Sequence, residues 1–115
     1  MKYLLIENNL SIRRIDIAGI QCIIFRDGQL AVQMIDGEKL LHCATLNELH
    51  NQLPDTFVKV NRNVIINIDC VVSIQKQLRI VTLYNGQEFS VSRRKMSVLI
   101  TTFSQFLKDI NRNVE

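Results

Sequence analysis

One proline and four glycines in 115 residues are too few for a low-complexity or linker segment anywhere in the chain. Tryptophan is missing, and five Phe and two Tyr leave few platforms on which unpaired bases could stack, which weighs against single-stranded RNA as a ligand. The three cysteines, Cys22, Cys43 and Cys70, are odd in number, have no CxxC spacing and lie in apolar surroundings. They read as reduced, buried thiols rather than a disulfide framework. A zinc site is weaker still, because His42 and Cys43 are neighbours and point to opposite faces of any strand. The stretch Met1–Ile6 is too short an apolar run for a signal peptide and no small-residue cleavage site follows it. No run approaches the ~20 residues of a membrane span. A cytoplasmic protein with no membrane partner is expected.

The motifs of catalysis are missing as well. There is no GxSxG, HExxH, P-loop or GxGxxG. His42 has no evident carboxylate or nucleophile partner, and His50 falls on a short helix where it should face solvent. The expectation is a binding protein rather than an enzyme, with no cofactor and no metal.

What is present is one ordinary globular domain, 47% hydrophobic and 22% charged, spanning residues 1–115 and long enough to bury a core. Its net charge of +3 conceals an asymmetry. Residues 1–56 carry five Lys/Arg against seven Asp/Glu, and residues 57–115 carry nine against four. A basic half suits a polyanionic partner, although such charge also serves simply to solubilise a surface.

The hydrophobic pattern is mostly of period two. Strands are expected at Lys2–Glu7, Leu10–Ile15 (with Leu10, Ile12 and Ile15 inward), Ile20–Phe25, Leu30–Ile35 and Lys39–Ala44, with Asp27-Gly28 and Asp36-Gly37 as hairpin signals. Thr45 and Glu48 form a capping-box pattern ahead of Leu46, Leu49 and Leu53, a helix of about two turns ended by Pro54. Further strands are expected at Val71–Lys76, Leu78–Tyr84 and Gln87–Val91, the last two joined through Asn85-Gly86. After Ser92 the period lengthens. Met96, Leu99, Ile100, Phe103, Phe106, Leu107 and Ile110 mark an amphipathic helix, with Asn111–Glu115 fraying. The fold class is therefore mainly β, antiparallel hairpins with a short central helix and a C-terminal helix.

Two polar features break the pattern. In Phe57–Asp69, Val58, Val60, Val64, Ile66 and Ile68 share one face, yet Asn61-Arg62-Asn63 interrupts them and puts Arg62 in a slot where alternation calls for an apolar side chain. Local inconsistencies of this kind collect at functional sites. The second feature is Ser92-Arg93-Arg94-Lys95, which places three cations at a helix N-terminus. Cations there cost roughly 0.3–1 kcal/mol each against the helix dipole, and the same end offers free N–H groups to an anion such as phosphate.

Leu53-Pro54, Phe57, Asn61-Arg62-Asn63, Ile66-Asn67, Val71–Ile74, Asn85-Gly86 and Ser92-Arg93, in that order and spacing, resemble the LytTR family of bacterial DNA-binding domains. The likeness extends upstream through Ile15–Ile20 and the short helix at Leu46–Leu53. Two departures stand out. Asn61 replaces the usual His and Asn63 the usual Ser or Thr, and near Gln21 the family's common Glu is replaced. All remain hydrogen-bonding side chains.

The resemblance implies about ten strands in elongated antiparallel sheets, and sequence-specific binding of double-stranded DNA by loops that enter successive major grooves. It implies a transcription regulator, either free-standing or the effector half of a two-component response regulator governed by a receiver domain and sensor kinase. At this length the chain has no room for a receiver domain of its own. Paired direct-repeat sites and two copies on DNA are also implied. Residue by residue, Arg62, Arg94, Arg26 and Gln29 correspond to base-contacting positions, and Lys59, Asn61, Asn63, Ser92, Arg93 and Lys95 to backbone-contacting ones. The alternative from another class is a protein-interaction module that pairs through an exposed strand edge.

Overall fold

Residues 2–112 are described by the structure, a computed structural model. They form ten strands and two helices in three antiparallel sheets. The central sheet has five strands in the order β5-β4-β3-β7-β6, made of β3 (Ile20–Arg26), β4 (Gln29–Met34), β5 (Lys39–His42), β6 (Phe57–Asn61) and β7 (Val64–Asn67). A hairpin of β1 (Tyr3–Glu7) and β2 (Ile12–Asp16) covers one face together with the one-turn helix α1 (Leu46–His50). A three-stranded sheet of β8 (Val71–Gln75), β9 (Ile80–Leu83) and β10 (Glu88–Ser90) covers the other, with α2 (Met96–Arg112) packed alongside.

The sandwiching of the central sheet explains why its strands are apolar on both faces. Along β7, Ile65 joins the core under β1–β2 and α1, while Val64 and Ile66 join the core under β8–β10 and α2. In β3, Ile23 faces the first core and Cys22 and Ile24 the second. Val58, Val60, Val64, Ile66 and Ile68 all lie in the second core, as their shared face predicts. Overall dimensions are 42 × 34 × 24 Å, a flattened body more than an elongated one.

Several local expectations give way to packing. Leu10 and Ile12 are 95% and 66% exposed, because the register Leu4↔Ile15 and Ile6↔Arg13 turns only Ile15 of the three inward. Arg13, placed opposite Ile6, reaches Glu38 in a salt bridge of 2.6 Å. Helix α1 stops at His50, and Leu53 follows in a turn whose N–H donates to the His50 carbonyl. His50 does not simply face water, since its Nε2 donates to the Phe57 carbonyl at 3.0 Å. Helix α2 runs to Arg112, so Asn111 and Arg112 are helical, and the rest of the expected frayed end lies outside the described residues. Leu107 and Ile110, in the last turns of α2, are 42% and 40% exposed. No helix among the described residues is long and apolar enough to cross a membrane.

Within β3 the polar Gln21 is buried, at 3% exposed, and the apolar Phe25 is partly exposed, at 40%. Burial of Gln21 is tolerated because a chain of amides satisfies it. Its Nε2 donates to Gln87 Oε1 at 2.8 Å, and Gln87 Nε2 donates to Gln33 Oε1 at 2.9 Å. This network ties β3 and β4 to the β9–β10 turn, and no buried side-chain polar atom among the described residues lacks a partner.

The cysteines divide as well. Cys22 and Cys70 are buried, whereas Cys43 is exposed just beyond the end of β5. Burial pushes the Cys22 thiol up to about 12 and the Cys70 thiol up to about 11. A short maleimide pulse at pH 7.5 should therefore label Cys43 and spare the other two until denaturant is added, with peptide mass spectrometry as the readout. Comparable labelling of Cys22 in the native protein would contradict this packing.

Candidate nucleic-acid interface

The polar knot turns out to be the tip of a hairpin. Asn61 ends β6, Val64 begins β7, and Arg62 and Asn63 are the two exposed residues between them. Arg62 thus leaves the alternation instead of violating it. The strand β6 also carries a bulge, since Lys59 pairs with Ile65 and Asn61 with Val64, leaving Val60 as the extra residue. A bulge re-aims the side chains beside it. Here Asn61 Nδ2 donates to the Ser90 carbonyl of β10 at 2.8 Å while Asn61 Oδ1 accepts the Asn63 N–H at 2.8 Å. The amide of Asn61 is committed to holding the turn.

The second turn, Asp27-Gly28 between Arg26 and Gln29, has φ of +55° and +77°. This is the mirror-image turn that matches strand twist, and glycine at its second position carries no Cβ penalty. It lies beside the first because β3 pairs with β7 as far as Ile24↔Val64, after which the Phe25 N–H donates to the Asn63 carbonyl at 2.8 Å. A cleft of about 720 Å³ opens between these two turns and β10, and Arg26, Arg62 and Asn63 line it. Asp27 and Glu88 stand on the same walls, so the cleft is not uniformly basic.

The third segment is drawn in by one bond, from the Ser92 N–H to the Val60 carbonyl at 2.9 Å. Arg93–Lys95 then form a single 3₁₀ turn that runs straight into α2. Ser92 makes no side-chain cap hydrogen bond, which leaves its hydroxyl uncommitted. Ser92, Arg93 and Arg94 are exposed, and among the described residues Arg26, Arg62, Arg93 and Arg94 have no carboxylate within salt-bridge distance. Four unpaired guanidinium groups at one end of the body attract anions more strongly than scattered surface charge does.

The side chains of Lys59 and Lys95 border a different groove. Lys59 Nζ donates to Asn47 Oδ1 of α1 at 2.8 Å, because its pairing with Ile65 turns it toward the α1 side of the sheet. Both lysines line a separate groove of about 470 Å³ between the α1–β6 segment and α2. Nine of the ten candidate residues therefore belong to the three adjacent segments, Lys59 being the exception, and Lys95 borders the neighbouring groove as well. The contribution of β10, through the Ser90 carbonyl and Glu88, was not visible in the sequence, which offers no local sign that β10 would meet Asn61.

The chain matches the family described as LytTr DNA-binding domain over residues 11–104. Among solved structures, it is similar to the LytTr DNA-binding domain of a methyl-accepting/DNA response regulator from Bacillus cereus. The TM-score is 0.75 at 17% identity, covering 89% of this chain and 96% of that one. No curated protein sequence gives a significant match.

Proposed function

Since the chain belongs to the LytTR family of DNA-binding domains of transcription regulators, we propose that it reads duplex DNA with the Asn61–Asn63 and Ser92–Lys95 segments. In this reading the two segments enter successive major grooves, with the Arg26–Gln29 turn as a third contact. Arg62 and Arg94 are the base readers, because a guanidinium can meet guanine O6 and N7 with two parallel hydrogen bonds. Arg26 and Gln29 read an adjoining base. Asn63, Ser92 and Arg93 hold the sugar-phosphate backbone and set the register without reading sequence. Asn61 acts through the turn that it holds, and Lys59 and Lys95 draw in the flanking backbone from the neighbouring groove.

The observation that carries this reading is the pair of backbone bonds, Phe25 to Asn63 and Ser92 to Val60, that gather three sequence-distant segments. Turns pinned to a sheet by such bonds are placed more precisely than free loops. Selection of bound sequences from a random duplex pool tests it. The expected product is a motif containing guanine, recurring twice in direct repeat and occupied by two copies. Affinity for the selected site should fall steeply with salt, on the order of 10³-fold between 50 and 200 mM for six or more phosphate contacts. An unenriched pool, or binding insensitive to salt as strand-edge pairing with a protein would be, sinks the proposal.

A further inference from the structure

The connection from β8 to β9, Lys76-Gln77-Leu78-Arg79, lies outside every segment assigned above. It is nevertheless fastened to the same end of the molecule. Ser90 pairs with Ile80, and the next rung is closed by the Val91 N–H donating to the Arg79 carbonyl at 2.8 Å. Ser90 is the residue whose carbonyl receives Asn61, and Ser92 is the one bonded to Val60. The turn thus stands one to two strand spacings from the Ser92–Arg93 pair, roughly 5–10 Å away.

Its charge is of one sign. From Cys70 to Gln87 there is no Asp or Glu, and Lys76 and Arg79 are the charged residues of that stretch. Both are exposed, and among the described residues neither has a carboxylate within salt-bridge distance. Arg79 also holds φ at +53°, a left-handed conformation where glycine or asparagine would be the easier choice. An unpaired arginine is thus kept where the backbone disfavours it.

We infer that the Lys76–Arg79 turn is a further DNA-backbone-binding element, in which Lys76 and Arg79 grip phosphates flanking those held by Ser92 and Arg93. The inference rests on the duplex-reading function proposed above and enlarges its footprint on the side of the β8–β10 sheet. Leu78, 68% exposed at the tip between the two cations, lies against the sugar edge of the same strand.

The test is a salt titration and a phosphate-ethylation interference map on the full chain, with two probes: a duplex selected from the random pool and one of arbitrary sequence. The variant is K76Q/R79G, glycine being compatible with the backbone at residue 79. It should bind both probes more weakly by the same factor, on the order of tenfold, and its salt slope should be shallower by about 1.8, the release from two phosphates. Interference at the flanking phosphates should vanish while interference at the centre persists. Lys108→Gln, about 20 Å along α2 from Arg93, removes a charge without a contact and should leave the slope unchanged. An unchanged slope and map in K76Q/R79G overturns the inference while leaving the reading loops in place. A wild-type chain that binds neither probe overturns the DNA-reading function and this inference with it.

Discussion

Arg62→Ala is expected to erase most of the preference for a selected site over arbitrary sequence while leaving the protein folded. A bidentate arginine–guanine pair contributes about 1–3 kcal/mol of discrimination, so the specificity ratio should fall between about 5-fold and 150-fold. Stability should barely move, within ~0.5 kcal/mol, because Arg62 is exposed at a hairpin tip and makes no ion pair among the described residues. Arg62→Lys sharpens the test. It keeps the charge and loses the planar fork, so it should retain binding to arbitrary duplex and still lose discrimination. Arg93→Ala should do the reverse, weakening all sequences alike and reducing the salt slope by about 0.9. Competitive gel-shift titrations of the three variants would separate these effects. A specificity ratio preserved in both Arg62 variants would remove Arg62 from the base-reading set.

The reason Arg62 can be singled out from sequence is that its surroundings are so regular. Val58, Val60, Val64 and Ile66 establish a face, and one charge in that frame has no structural use. The hairpins were legible for a similar reason: Asp27-Gly28 and Asn85-Gly86 announce backbone conformations that few other residues adopt, and Gly28 and Gly86 have φ of +77° and +93°. What was not legible is whatever depends on which surface meets which. Ile12 and Ile15 look alike in a strand, and only the pairing with β1 decides that Ile15 is the buried one. Gln21 reads as a flaw in an apolar run until Gln33 and Gln87 arrive from distant elements to satisfy it. The bulge at Val60 leaves no mark in the sequence, yet it aims Asn61 at Ser90. The family likeness puts Lys59 among the backbone-contacting positions, but only its pairing with Ile65 shows that its side chain lies on the α1 side of the sheet.

That geometry makes the central sheet the part of the molecule on which the reading loops depend, and Ile65→Ala should show it. Ile65 is fully buried in β7, between Ile23 of β3 and Lys59 of β6. Removing its branched side chain deletes buried methyl groups and leaves a cavity that flanking strands cannot close without breaking ladder hydrogen bonds. Such truncations cost about 2–5 kcal/mol, against a total stability for a domain of this size of about 5–15 kcal/mol. The variant should unfold at a markedly lower urea midpoint with an unchanged slope, since the surface exposed on unfolding is nearly the same. At 25 °C the surviving folded fraction should still discriminate between sequences as the wild type does, because β6 and β7 keep their register and the Arg62 turn its bonds. Ile65→Ala and Arg62→Ala would then fail in opposite ways, one losing the scaffold with the reading intact and the other losing the reading with the scaffold intact. Loss of discrimination per folded molecule in Ile65→Ala would instead mean that the turn geometry is set by core packing on the α1 side, and not by the bonds of Asn61 to Ser90 and of Asn63 to Phe25.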